Sequence, residues 1–139
     1  MNPIRADADP IAPELLLEWF QAPVAFHRPL VELVGGHVGA ALMLTYALHW
    51  TREFVASGQA HAELAAQGYM HVTQADWTRE CGLSRWEQES ARRVLRNKGY
   101  LEELKSGLPA KLYFRVNMAR LLTDLTAQAM RNVAGRTDG

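Results

Sequence analysis

The sequence is short of cysteine, of long apolar runs and of net charge, and each shortage closes off a class of protein. One cysteine, Cys81, stands among 139 residues. It cannot form an internal disulfide or a cysteine-rich zinc site, which excludes a disulfide scaffold and suits a reducing, cytoplasmic setting. The longest apolar run, Val38–Trp50, contains Thr45 and His49 and is shorter than the roughly 18–20 apolar residues of a membrane span. It reads as a buried helix, and no membrane partner is expected. Met1–Pro13 carries Asp7, Asp9 and three prolines in place of a basic start and an apolar stretch, so it reads as a mobile N-terminus and not as a signal peptide.

Catalytic and metal-binding patterns are also missing. Histidines stand at 27, 37, 49, 61 and 71, with no pair four apart on a helix and no His-Glu-x-x-His. His49 therefore reads as a core or interface residue, and Cys81 as a buried thiol beside a turn. Gly35-Gly36 precedes a helix but lacks the Gly-Lys-Ser/Thr ending of a phosphate loop. No pair of carboxylates stands out for acid–base work. Trp50 and Trp77 read as core aromatics. No enzyme activity, cofactor or metal is expected.

What is present is an ordinary globular composition, 48% hydrophobic and 22% charged, in a length that suits one domain. The 15 basic and 15 acidic residues cancel, but they are segregated. Residues 1–78 hold three basic and eight acidic side chains, whereas 79–115 hold nine basic and five acidic. Local positive charge matters more for a polyanionic partner than the total.

The punctuation predicts a mainly α chain with a small β-hairpin. Glu14–Gln21 reads as a short amphipathic helix ended by Pro23, and Arg28–Val34 as another turn closed by Gly35-Gly36. His37–Val55 is apolar on nearly all sides and belongs at the centre of the fold or in an oligomer interface. A loop follows, with a helical turn at Ala62–Ala66. Tyr69–Val72 is a strand candidate. Thr73 and Asp76 form a capping box for Gln74–Cys81, and Gly82-Leu83-Ser84 makes a turn. Ser84 and Glu87 cap a second helix that runs to Lys98 and stops at Gly99. Leu101–Lys105 and Leu112–Val116 read as strands joined through Ser106–Ala110. Asn117 caps Met118–Met130, and the tail from Asn132 reads as disordered, leaving one domain over residues 14–131.

A short helix and a longer one across a tight turn form a helix-turn-helix unit, with Ser84–Lys98 as recognition helix and Glu102–Asn117 as wing. On that helix Gln88, Ala91, Val94 and Leu95 are spaced to face the core. Arg85, Glu89, Arg92, Arg93 and Arg96 fall mostly on other faces, where arginine can hold guanine or phosphate. The competing reading is a solvated helix whose arginines pair with Glu87, Glu89 and Glu102.

Three strings carry a resemblance. They are Trp77-Thr78-Arg79-Glu80-Cys81-Gly82-Leu83-Ser84-Arg85, then Ala91-Arg92-Arg93-Val94-Leu95 with Gly99-Tyr100-Leu101-Glu102, then Gly107-Leu108-Pro109-Ala110-Lys111-Leu112-Tyr113-Phe114-Arg115-Val116-Asn117. Together with Ala40–Trp50, they resemble the winged helices of phage and plasmid replication proteins, both initiators and replisome organisers, over about residues 26–117. The resemblance implies a winged helix-turn-helix with extra N- and C-terminal helices. It implies duplex-DNA contacts by Arg85, Arg92, Arg93 and Arg96 on the recognition helix and by Lys105 and Lys111 on the wing. Trp86 departs from the family, which more often has a polar or basic residue there. It would stack on sugar, touch a thymine methyl, or anchor a protein partner.

The expected function is DNA binding in replication or regulation of a mobile element. The expected contact set is Ser84, Arg85, Trp86, Glu89, Arg92, Arg93, Arg96, Lys105 and Lys111. Two alternatives stay open: a protein-interaction module on the same scaffold, and a dimeric transcriptional repressor. A homodimer through the N-terminal helices or Met118–Met130, and a replication-protein partner, accompany the main reading.

Overall fold

Proline and glycine bound the first helix of the described chain. A computed structural model describes residues 26–56 and 67–138. The expected mobile N-terminus, the helix Glu14–Gln21 and the turn Ala62–Ala66 lie outside those residues. Helix α1, Arg28–Leu33, has a proline in its first turn, where a missing N–H costs nothing. Gly35 and Gly36 then take left-handed backbone, φ 68° and 84°, and turn the chain into α2, Val38–Ala56. The imidazole of His37 caps α2. Ala40 N–H donates to its Nδ1 at 3.0 Å. The ring proton therefore sits on Nε2, which lies 3.0 Å from Ser90 Oγ.

Helix α2 is central, as its apolar surround predicts. Ala40, Ala41, Met43, Leu44 and Ala47 are buried; the alanines let neighbouring helices come close, and Met43 and Leu44 fill the core. Strand β1, Met70–His71, precedes α3, Gln74–Cys81, and α4, Arg85–Lys98. Strands β2, Leu101–Ser106, and β3, Lys111–Val116, form an antiparallel hairpin, each one residue longer than the sequence suggests. β1 adds to it, pairing Met70 with Phe114 and His71 with Tyr113, so the hairpin belongs to a three-stranded sheet of order β1-β3-β2. Among the described residues the protein is thus five helices and one small antiparallel sheet.

An aromatic stack joins the layers. Trp77 of α3 lies 4.8 Å from Trp50 of α2 and meets Phe114 of β3 edge-on at 5.6 Å, between ring centroids. Leu95 of α4 and Leu101 of β2 complete the fully buried set with Met43 and Leu44.

Helix α5, Met118–Asp138, passes beyond its expected end at Met130 and includes residues read as a disordered tail. Gly135 does not stop it, because that residue keeps helical backbone instead of the positive φ that ends α3 and α4. Asn117 caps α5 as expected, accepting from Arg120 N–H at 3.1 Å. Two polar contacts dock the helix. Tyr100 OH donates to Asp124 Oδ2 at 2.6 Å, and the buried Gln128 amide donates to Pro29 O and to Glu32 Oε2. No helix among the described residues is long and apolar enough to cross a membrane.

Candidate nucleic-acid interface

The site begins with two caps and a turn. Thr73 and Asp76 exchange hydrogen bonds at 2.8 and 3.0 Å, fixing the start of α3. Gly82 ends it at φ 71°, a conformation that strains any side chain with a Cβ. Leu83 is buried and pins the turn to the core. Ser84 and Glu87 then close a second reciprocal box at 2.9 and 3.2 Å, so α4 starts at Arg85. Backbone contacts hold Asp76 and Glu87 below the ordinary carboxylate range: Thr73 and Ser84, respectively, donate to them.

Gln88 locks the two helices together. Its buried amide nitrogen reaches Gln74 O at 3.2 Å, Thr78 Oγ1 at 2.8 Å and Leu83 O at 3.0 Å. Ala91 and Leu95 extend the same inward stripe, with Val94 at its edge. The outward side of α4 is consequently fixed in direction, which a contact surface requires.

The outward residues divide by their partners. Arg92 donates twice to the Glu103 carboxylate of β2, at 2.8 and 3.0 Å, and its guanidinium lies over the Phe114 ring. Arg96, one turn on, reaches the same carboxylate at 3.3 Å. The Glu103 side chain is only 11% exposed. Burial raises its carboxyl, but the Arg92 hydrogen bonds and the charges of Arg92 and Arg96 outweigh that, and the net shift is downward. Arg85 makes a looser, exposed pair with Glu89 at 3.4 Å. Arg93, Lys105 and Lys111 are exposed and have no ion pair among the described residues. Trp86 is 77% exposed.

Of the pairings proposed for a solvated helix, Glu89 does meet an arginine of α4. Glu87 instead closes the cap, and Glu102 holds Arg115 of β3 at 3.2 Å. Glu103 was not among the sequence candidates. Its role arises only once the hairpin folds back over α4, and its position directly after Glu102 on a strand, facing the opposite side, is the one signal the sequence offers.

A cleft of about 360 Å³ separates the first half of α4 from the hairpin. Arg85, Glu89, Arg92 and Lys111 line it, with His71 and Trp77. Beyond it the hairpin tip carries Leu108, which is wholly exposed. Lys105 and Lys111 stand on the two stems beside that tip, paired with Leu112 and Ser106 respectively.

The groups set aside as catalytic lie elsewhere. Cys81 is half-buried at the end of α3, and burial, then the nearby Glu80 charge, push its thiol up to about 12. No cluster of three metal-ligating side chains occurs among the described residues. No protein-family model, curated protein or solved structure matches the chain.

Proposed function

We propose that this protein is a winged helix-turn-helix domain that binds duplex DNA, with α4 as the helix that enters the major groove and the β2–β3 hairpin as the wing. The observation that carries the reading is the joint placement of the cations. Arg85 of α4 and Lys111 of the hairpin line one cleft, while Arg93 stands exposed on α4 and Lys105 exposed on the hairpin stem, all on elements fixed by two capping boxes and Gln88. Polyanion binding needs such a rigid cationic surface and does not need net positive charge over the whole chain. The resemblance to phage and plasmid replication proteins supports a role in replication or regulation of a mobile element. Exposed apolar residues on α5, Met118, Leu122 and Met130, support a homodimer through that helix.

Fluorescence anisotropy with a labelled random duplex at low salt tests the reading. Micromolar or tighter binding is expected, and log K should fall with log salt at a slope of about −4, for about four phosphates neutralised. Absence of binding at tens of micromolar overturns it. That result would favour the second reading, a protein-interaction module, for which the exposed Trp86 is the specific observation, since tryptophan is a favoured anchor in protein interfaces.

A further inference from the structure

The arginines of α4 are chemically alike but structurally unequal. Arg92 and Arg96 lie on the hairpin side of the helix, where both are held by the nearly buried Glu103 carboxylate. Pulling either toward a ligand would leave a carboxylate in a low-dielectric site with half its compensation, and that is costly. On the opposite flank, Ser90 contacts His37 at the start of α2, which marks the other edge of the outward face. At 3.6 residues per turn, Glu89 and Arg93 lie nearly opposite the fully buried Ala91; Arg93 is exposed there, and Glu89 stands partly exposed at the edge of the cleft. Trp86 and Asn97 sit on the same outward face, toward the α2 side, and both are exposed.

Resting on the DNA-binding reading, we infer that Arg93 is the residue of α4 that discriminates between bases, while Arg92 and Arg96 are positioning residues that tie the helix to the hairpin through Glu103. A guanidinium at the centre of the outward face matches the O6 and N7 acceptors of guanine. Glu89, one turn before it, matches the N4 amino group of cytosine, and its loose pair with Arg85 leaves one carboxylate oxygen without a donor. The two together specify a G·C pair under the middle of α4. Trp86 offers an apolar face to a neighbouring thymine methyl, and Asn97 an amide suited to adenine.

The experiment uses the full chain. A random duplex library is selected for binding, and the affinity for the selected duplex is divided by that for random duplex. For each variant, this ratio and the melting temperature are measured. Arg93→Ala is expected to lower the ratio at least tenfold, with loss of the preference for one G·C position, and to leave the melting temperature unchanged. Arg92→Ala and Glu103→Gln are expected to lower the melting temperature and to leave the ratio within threefold of the wild type. Because Arg93 is exposed, its variant folds, so the comparison holds even if an Arg92 variant does not. An unchanged ratio in Arg93→Ala, or an equal collapse in Glu103→Gln, overturns the inference. A wild-type ratio near one overturns it while leaving DNA binding standing, whereas no wild-type binding to any duplex removes both.

Discussion

Gln88 is a polar side chain that α4 turns toward the core, and its amide serves three oxygens from α3 and the following turn. Leucine has a similar size and would satisfy the apolar spacing of that face. It would also leave Thr78 Oγ1 without a donor in the interior, and Leu83 O with only its 3.2 Å bond from the Thr78 hydroxyl. Gln88→Leu is therefore expected to destabilise the protein by about 1–3 kcal/mol, the cost of leaving buried polar groups unsatisfied. Urea unfolding checks this, and an unchanged midpoint would mean that water replaces the amide. Cys81 gives a second prediction at this scale. With its thiol at about 12, the thiolate near pH 7.5 is roughly a thousandfold scarcer than for free cysteine. Alkylation by iodoacetamide at that pH should run at least tenfold slower than for glutathione, and it should reach the glutathione rate once urea unfolds the chain.

At the scale of elements, the caps and the hairpin do different work, and the sequence exposes them unequally. Both capping boxes, the left-handed glycines 82 and 99 and the bounds of α3 are legible because each depends on residues three or four apart. Ser84→Ala removes one such contact and is expected to cost about 0.5–2 kcal/mol. The ties among distant elements are not legible in this way. Glu103 meets Arg92 and Arg96 from the next strand, Tyr100 meets Asp124 across a strand pair, and Gln128 reaches back to Pro29. A charged residue on a strand looks like solubility until the hairpin's angle to α4 is known. The length of α5 was hidden for a related reason: glycine ends a helix only when the chain takes left-handed backbone there, and Gly135 does not.

The Glu103 tie also has a pH signature. Its carboxyl is lowered in the folded state, so the unfolded chain binds the proton more readily. The stability this contributes is present above the ordinary glutamate range, near 4.3–4.5, and is lost as pH falls through the lowered folded value. Glu103→Gln should therefore narrow the gap in melting temperature between variant and wild type as pH drops from 6 to 3. A gap that stays constant across that window would show that the carboxylate contributes no charge-dependent stability.

For the whole molecule, charge and apolar surface must be weighed together. Basic and acidic residues cancel and the isoelectric point is about 7.0, so near pH 7 little electrostatic repulsion opposes self-association. The same segregation that places cations around α4 leaves residues 1–78 acidic, while α5 carries exposed apolar side chains. Met118, Leu122 and Met130 are each more than half exposed, and Met118 and Leu122 lie one turn apart on a face continued by the half-buried Leu125. A helix docked by Leu121, Asp124 and Gln128 on one side and apolar on another has surface to offer a second copy. Under the proposed homodimer, light scattering at pH 7 and high micromolar concentration should give a mass clearly above the 15.6 kDa of one chain. Leu122→Glu should return it to that of one chain without lowering the melting temperature, since Leu122 is not part of the core. A mass of one chain for the wild type at every concentration would remove the homodimer and, under the proposed DNA binding, leave one copy of α4 to meet the duplex alone. In that case the four cations Arg85, Arg93, Lys105 and Lys111 would have to supply the whole electrostatic affinity of the proposed complex, and the salt slope near −4 would be that of the complete complex rather than of one half-site.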